Sequence, residues 1–207
     1  EAGLLRGGSF EGYLAAGVPG TVAGMSELLN KYGTKSLKSL IQPAICYAEN
    51  GYVISARQAE TFVEYQKRLV KFPSSRQYFL KPDGSTYREG EILVQKDLAR
   101  TLRLIADKGP DVFYKGEIAE LIAKDMAANG GIMIKEDLVR YRPIWREPVK
   151  GTYRGYEIIS MAPPSSGGTH IIQILNILEG FDLSSMGAGS SEAIHYMAEA
   201  MRYAYAD

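Results

Sequence analysis

The chain has 207 residues, and its 24 basic and 24 acidic side chains give a formal net charge of zero. A neutral balance provides no overall field to attract nucleic acid or an anionic membrane. The hydrophobic fraction of 45% is sufficient for a sizeable core. No apolar run approaches the roughly 20 residues that a membrane-spanning helix requires, and the first residues do not resemble a signal peptide.

Helices dominate the pattern over the first two thirds of the chain. Apolar residues recur every three or four positions, as on the inward face of a helix, over about residues 20–32, 36–50, 55–69, 95–108 and 116–129. Ser55 and Gln58 form a capping-box pattern at the start of the third helix. Pro43 must kink the second helix or start a new turn within it. Glu136 and Asp137 are predicted to lie in the first turn of another short helix, where the helix dipole favours acidic side chains.

Between the third and fourth helices the sequence predicts short extended pieces. Phe72-Pro73 ends the third helix, and residues 78–80 and 86–87 are expected to be extended on either side of a turn at 81–84. Further along, residues 149–153 and 156–159 flank Arg154-Gly155, which predicts a β-hairpin. This hairpin is the only sheet that the pattern predicts.

The segment Pro163-Pro164-Ser165-Ser166-Gly167-Gly168 connects the hairpin to an apolar helix. The prolines fix an extended approach, either serine can cap the helix, and the glycines allow close approach of backbone or ligand. The alternatives are an anion-binding helix start and a tight connection that serves packing. The second is favoured, because the spacing of nucleotide-binding loops is missing. The helix over residues 171–179 is apolar nearly all round and is predicted to be buried.

A last helix is predicted over about residues 191–207. Its inward residues are expected to be Ile194, Met197, Ala198, Met201 and Tyr205. Neither Gly nor Pro ends it, so the sequence is expected to break off inside a helix and to be a fragment of a longer polypeptide.

Few side chains in the sequence suggest chemistry. His195 and Glu199 are spaced as a possible metal pair, but two ligands do not complete a zinc site, and a helix-surface pair is favoured. His170 is interpreted as a capping or packing residue. Cys46 is the single cysteine and is expected to be buried and inert. The sequence therefore predicts no catalytic residue, no metal ligand and no cofactor, and it leaves the substrate-binding residues unknown.

A series of short motifs, in order, resembles the large subunit of the γ-glutamyltranspeptidase (glutathione hydrolase) family over about residues 12–207. The motifs are GVPGTVAG at 17–24, QPA at 42–44 with GYV at 51–53, GP at 109–110 with FYKG at 113–116, NGG at 129–131, KEDL at 135–138 with Tyr141, YRGY at 153–156, PPSSGG at 163–168, QILNILE at 173–179, and AEA at 198–200 with YAYAD at 203–207. One such motif is weak evidence, whereas about eight in order are strong evidence.

The resemblance implies an α+β fold that forms part of the αββα sandwich of N-terminal-nucleophile hydrolases. Members are made as one precursor that cleaves itself into a large and a small subunit. The nucleophile is the first threonine of the small subunit, whose free amine acts as its base. The γ-glutamyl group, usually from glutathione, passes through that threonine to water or an amino acid.

The sequence lacks two motifs of the family. It contains no stretch like the Thr-Thr-His-Tyr start of the small subunit, and it begins downstream of the arginine that binds the substrate carboxylate. Arg6 and Arg57 do not lie in that arginine motif and receive no role. Ser165 and Ser166 are distinct from the serine pair near the oxyanion site, which belongs to the small subunit.

The sequence is therefore interpreted as one incomplete domain over residues 1–207, a large-subunit fragment that is inactive alone. Residues 1–147 would form a mostly helical lobe, and residues 148–207 would supply the hairpin, the PPSSGG loop and buried core helices. The small subunit of the same precursor is the expected partner, and a periplasmic or secreted location follows from the bacterial family. The alternatives are a related amidase, acting on a glutaryl-cephalosporin or on poly-γ-glutamate, a non-catalytic scaffold subunit, and an unrelated helical binding module.

Overall fold

The computed structural model describes residues 10–206, and the chain divides into two compact units, Glu1–Pro143 and Ile144–Asp207. In the described part of the first unit, the first element is a 3₁₀ turn at Tyr13–Ala15. Its helices and strands are α1 Thr21–Tyr32, α2 Leu37–Asn50, β1 Tyr52–Val53, α3 Ala56–Leu69, α4 Pro73–Phe79, β2 Ile92–Leu93, α5 Lys96–Lys108, α6 Asp111–Tyr114, α7 Glu117–Ala128 and α8 Lys135–Arg140. The second unit contains β3 Val149–Tyr153, β4 Tyr156–Ser160, α9 Ser166–Glu179, α10 Leu183–Met186 and α11 Ser191–Ala204. The prediction that the chain is one incomplete domain stays a prediction.

Local capping signals place α2 and α3 as predicted. The Ser36 side chain accepts a hydrogen bond from the Ser39 N–H at the start of α2. Ser55 and Gln58 form a complete capping box at the start of α3. Pro43 lies inside α2, which continues through it as one helix to Asn50. Gly51 follows in the left-handed region with φ 84°, a conformation that favours glycine.

Of residues 78–80, only Leu80 is extended as predicted, because α4 runs through Phe79. Pro73 begins this helix, where its fixed φ is favourable and its missing N–H would have no partner in the helix. The Phe72 carbonyl then accepts from the Arg76 N–H. Phe72-Pro73 was predicted to end one helix, and Pro73 also begins the next.

The first unit also contains a small sheet that the sequence did not predict. In β1 and β2, Tyr52 pairs with Leu93 and Val53 with Ile92, antiparallel. Two-residue strands lack the alternating run from which a strand is recognised. Ile54, next to β1, and Leu93 are fully buried, so this pair anchors the loop before α5 in the core.

The core of the first unit gathers around α6, α7 and α8. One buried cluster contains Tyr114, Ala119, Met126, Met133 and Leu138. A second contains Ile105, Val112 and Ile118, and joins the end of α5 to the same helices. The short helix α6 contributes to both clusters and was not predicted, because four residues are too few to show a helical period.

The second unit is built on the predicted hairpin. Strands β3 and β4 pair in antiparallel register from Val149 opposite Ser160 to Tyr153 opposite Tyr156. Both turn residues have positive φ, 51° at Arg154 and 83° at Gly155, as a type I′ turn requires. Helix α9 packs on the hairpin, and α11 packs on α9.

The predicted burial of the α9 helix is wrong for the described chain. Only Gly168 and Leu178 are buried, and Ile171 is 49% exposed. One side of α9 meets the hairpin and another meets α11, while the remaining apolar side chains stay partly accessible. An all-round apolar pattern shows which faces are suited to burial, and it does not show that a partner for each face lies in the same chain.

The predicted inward face of α11 is also mostly wrong. The buried residues are Ala193, Ala200 and Ala204, whereas Ile194 and Met201 are about half exposed. Small side chains on the inner face let two helices approach closely, so the alanines pack while the larger residues lie outside. The helix ends at Ala204, short of the predicted residue 207.

Candidate functional site

The PPSSGG segment forms a tight connection between β4 and α9. Ser165 is the N-cap of the helix, and its Oγ accepts a hydrogen bond from the Gly167 N–H at 3.3 Å. Ser166 is already the first helical residue. Of the two serines that could cap α9, the structure therefore assigns the role to Ser165.

Two glycines seat α9 against the hairpin. A Cβ at Gly168 would overlap the Met161 carbonyl oxygen and come within 2.8 Å of Val149 Cγ2. A Cβ at Gly151, in β3, would lie 2.6 Å from Ile172 Cγ2. By contrast, a Cβ at Gly167 would meet only Ser165 Oγ, at 3.4 Å. The geometry agrees with the packing interpretation of the loop, and Gly168 rather than Gly167 is the position that requires glycine.

The two histidines lie apart and have different surroundings. The His170 ring packs edge-on against Tyr205, with ring centroids 4.8 Å apart, which agrees with a packing role.

His195 is exposed on α11, and the Glu199 carboxylate pairs with the Arg202 guanidinium at 2.6 Å. The hydrogen bond from Arg202 lowers the pKa of the Glu199 carboxyl. Among residues 10–206, no group of three or more His, Cys, Asp or Glu side chains is placed to hold a metal ion.

The expectation that Cys46 is buried is wrong. The cysteine is exposed on α2, and its Sγ accepts a hydrogen bond from the Asn50 amide at 3.3 Å. Ile45 and Ala48 face the core instead. Since successive helical residues are rotated by about 100°, Cys46 cannot share the face of Ile45.

The two arginines considered in the sequence remain without a role in substrate binding. Arg57 lies at the start of α3 and is largely exposed, 3.5 Å from Glu60. Arg6 lies outside the described residues.

A polar link that the sequence reasoning missed joins three of the motifs. The Tyr114 hydroxyl donates to the Pro19 carbonyl oxygen at 2.7 Å and accepts from the Ala23 N–H at 3.0 Å. The Tyr114 ring stacks on Tyr141, with centroids 5.7 Å apart and planes 11° apart. A Cβ at Gly20 would collide with the Tyr141 phenol.

This link replaces a side-chain cap at the start of α1. Gly20 occupies the N-cap position and provides no side chain to cap the helix, so the Tyr114 hydroxyl satisfies one of the free N–H groups of the first turn. Burial raises the pKa of Tyr114, because the phenolate would lose hydration, and the hydroxyl keeps the proton that it donates. Two features of the sequence could have indicated this link: the tyrosine of the FYKG motif, and Gly20 at the start of α1, where a side-chain cap is missing.

An apolar groove, here called the α1/α2/α5 groove, lies in the first unit and has a volume of about 520 Å³. The residues that define it include Val22, Met25, Leu29, Leu40, Ile41 and Leu102. Among the described residues, none of those lining it is charged. The groove can therefore hold an apolar surface, and it offers no charged group for catalysis.

Comparison with known proteins identifies the class to which this architecture belongs. The chain superposes on the crystal structure of Helicobacter pylori gamma-glutamyltranspeptidase with a TM-score of 0.95 and 60% identity, over 98% of this chain and 58% of that one. The fold is thus that of an N-terminal-nucleophile hydrolase, and the predicted α+β class is confirmed. The sequence profile of the family Gamma-glutamyltranspeptidase matches residues 4–207. The chain belongs to the γ-glutamyltranspeptidase family.

Curated relatives include precursors with different names. The chain is 47% identical over 199 residues to the glutathione hydrolase proenzyme of Escherichia coli (strain K12), covering 96% of this chain and 34% of the relative. It is 44% identical over 196 residues to the acylase ACY 1 proenzyme of Pseudomonas sp. (strain SE83), covering 95% of this chain and 35% of the relative. The chain therefore spans about a third of the length of these relatives. Within the described residues, no helix is long and apolar enough to cross a membrane.

Proposed function

We propose that this chain is the large-subunit portion of a γ-glutamyltransferase that also hydrolyses glutathione. The observation that carries the proposal is the 47% identity over 96% of the chain to a glutathione hydrolase proenzyme. The structural likeness to a gamma-glutamyltranspeptidase at 60% identity supports it. The small subunit of the same precursor is the proposed partner, and the periplasm or the exterior of the cell is the proposed location.

The proposed reaction proceeds through an acyl-enzyme intermediate. The N-terminal threonine of the small subunit attacks the γ-carbonyl carbon of the donor, and its own α-amine accepts the hydroxyl proton. The amide bond breaks, and the departing amine takes up a proton. Water or the amine of an amino acid then attacks the γ-glutamyl ester, which releases the threonine. All of the bond-making groups in this scheme come from the small subunit and the substrates.

The proposed contribution of this chain is to support the catalytic sandwich. Gly168 and Gly151 let α9 lie in direct contact with the β3–β4 hairpin, and this contact fixes the position of the helix. A site held by such contacts is preorganised, and small displacements of catalytic groups are costly in rate. We therefore expect changes at these glycines to act through folding and self-cleavage.

The test is to express the complete proenzyme and measure release of the chromophore from a γ-glutamyl anilide. Self-cleavage into two subunits, followed by turnover of the anilide and of glutathione, is the expected result. The purified 207-residue chain should show no turnover. Turnover by that chain, with contamination excluded, would contradict the assignment.

A related amidase is the second candidate, because the chain is 44% identical to an acylase proenzyme. The same complete proenzyme distinguishes the two candidates when a glutaryl amide is offered beside the γ-glutamyl anilide. Preference for the glutaryl group, which lacks the α-amine, would favour the acylase. A proenzyme that neither cleaves itself nor turns over either substrate would favour a non-catalytic scaffold.

A further inference from the structure

Two asparagines in the chain are each followed directly by glycine, in the dipeptides Asn50-Gly51 and Asn129-Gly130. The backbone nitrogen of such a glycine can attack the side-chain carbonyl carbon of the asparagine, because glycine has no Cβ to obstruct the approach. Both asparagines are exposed; the first ends α2 and the second is the C-cap of α7. Each side-chain amide donates a hydrogen bond into its own helix, to Cys46 Sγ and to Asp125 respectively. The backbone is therefore what distinguishes the two dipeptides.

The backbone of Asn50-Gly51 is held on both sides of the reacting nitrogen. The N–H of Gly51 donates to the Tyr47 carbonyl oxygen at 2.9 Å. The next residue, Tyr52, is paired with β2 in the small sheet, and a Cβ at Gly51 would overlap Ile92. Attack by this nitrogen requires a hydrogen bond to break and the end of the sheet to separate.

The backbone of Asn129-Gly130 is held by fewer contacts. In the part of the chain that the structure describes, no backbone carbonyl accepts a hydrogen bond from the Gly130 N–H. A Cβ at this glycine would meet no described heavy atom within 4 Å, and residues 131–134 belong to no helix or strand. The next backbone bond is that from the Gly131 N–H to the Met126 carbonyl oxygen, at 2.8 Å. A segment opens most readily where few backbone hydrogen bonds and buried contacts must break.

We propose that Asn129 is a site of spontaneous deamidation in the folded protein, whereas the fold protects Asn50. The Gly130 nitrogen forms a bond to Cγ of Asn129 and gives up its proton. The bond from Cγ to Nδ2 breaks, and the side-chain nitrogen takes up that proton and leaves as ammonia. Water then opens the succinimide ring at either carbonyl carbon, which produces aspartate or isoaspartate.

Deamidation at this position weakens the end of α7. The Asn129 Nδ2 donates to the Asp125 carbonyl oxygen at 2.8 Å and to the Asp125 carboxylate at 3.2 Å, and an ionised aspartate can donate neither bond. The new carboxylate would lie beside that of Asp125, at the end of a helix where the dipole disfavours negative charge. Because α7 contributes Ala119 and Met126 to the buried cluster, we expect the modified protein to unfold at a lower temperature.

Peptide mass spectrometry of the complete, processed enzyme during storage in mildly alkaline buffer tests the proposal. Deamidation is followed at Asn129 and Asn50 in the same sample, so that Asn50 is the internal control. We expect Asn129 to react at least about tenfold faster than Asn50 in the native enzyme, because its segment opens more readily. In the urea-unfolded enzyme the two rates should agree within about threefold, since the fold no longer separates them.

Three results would overturn the proposal. Rates that are similar in the native enzyme would show that the sheet beside Asn50 gives no protection. An unmodified Asn129 in the native enzyme would show that its segment does not open. A difference that persists unchanged in urea would show that the neighbouring sequence is the cause and the fold is not. The rates do not depend on turnover, so an inactive enzyme would count against the proposed function alone.

Two variants test the consequence for stability. Asn129→Asp carries the charge of the product, whereas Asn129→Gln keeps a neutral amide and is the matched control. Asn129→Asp should have a lower melting temperature than Asn129→Gln, and the parent enzyme should approach it during storage. Equal melting temperatures for the two variants would contradict the weakening of α7.

Discussion

The hydroxyl of Tyr114 donates a 2.7 Å hydrogen bond to the carbonyl oxygen of Pro19, which lies 95 positions earlier in the chain. The same oxygen accepts from the Ala23 N–H in the first turn of α1. One buried side chain thus holds the GVPGTVAG segment against the core cluster of α6, α7 and α8.

Tyr114→Phe should destabilise the complete enzyme without changing its chemistry. The substitution leaves the Ala23 N–H and the Pro19 carbonyl without this partner, and because both bonds are only partly buried, the loss should cost about 0.5–1.5 kcal/mol. The free energy of unfolding of the processed enzyme is measured by denaturant titration. Tyr47→Phe on the exposed side of α2 is the control, and equal stability of the two variants would show that the bridge contributes nothing.

Gly168→Ala should destabilise the enzyme, whereas Gly167→Ala at the neighbouring position should be tolerated. The Cβ of an alanine at 168 would overlap the Met161 carbonyl oxygen, and overpacking of this kind costs about 1–3 kcal/mol. At 167 the nearest atom is 3.4 Å away, and alanine is a better helix former than glycine. Thermal unfolding and the fraction of self-cleaved precursor measure both effects. If both variants were equally stable, the close packing of α9 on the hairpin would not depend on Gly168.

Ser165→Ala should lower stability by about 0.5–2 kcal/mol through loss of the helix cap. Ser166→Ala serves as the control, because Ser166 is inside the helix and Ser165 makes the capping bond. Turnover for each correctly processed molecule should remain unchanged in both variants. If Ser165→Ala left stability and processing intact but lowered turnover about a thousandfold, which corresponds to about 4 kcal/mol of transition-state stabilisation, the serine would belong to the chemistry.

The part of the fold that was predicted correctly depends on local signals. Ser55 with Gln58, and Arg154 with Gly155, determine their own backbone through a hydrogen bond or a dihedral preference, so neighbouring residues are enough to recognise them. The exposure of Cys46 and Ile171 was mispredicted because burial depends on what faces a helix. The local sequence does not determine which side of α2 faces the core. It also gives no information about surfaces that other parts of a precursor would cover.

The position of the Tyr114 link shows a further limit of sequence reasoning. FYKG and GVPGTVAG were recognised as separate motifs, but no local rule connects residues 91 positions apart. The structure brings them together because Tyr114 belongs to the buried cluster with Leu138. A motif whose role is to contact another motif becomes interpretable only when both are placed in space.

The ion pair beside β2 gives a prediction for acid. Glu91 Oε1 lies 2.6 Å from Lys81 Nζ, and its other oxygen accepts from the Arg88 N–H at 2.7 Å. These bonds lower the pKa of Glu91 below its ordinary value of 4.5. A carboxyl with a lowered pKa in the folded state adds stability above its unfolded pKa and loses it as the pH falls through the folded value. Glu91→Gln should therefore melt below the parent enzyme at neutral pH, and the difference should shrink below a pH of about 4. A constant difference down to a pH of about 3 would show that the charge of Glu91 is not responsible.

The most direct test of the central claim is to locate the nucleophile in the complete proenzyme. An electrophilic γ-glutamyl analogue is incubated with the processed enzyme, and the modified residue is identified by peptide mass spectrometry. The assignment of this chain as a supporting large-subunit portion predicts that the label lies on the N-terminal threonine of the small subunit, with the peptides of residues 1–207 unmodified. A stoichiometric label on any residue of this chain, Ser165 above all, with loss of activity in proportion to labelling, would contradict it.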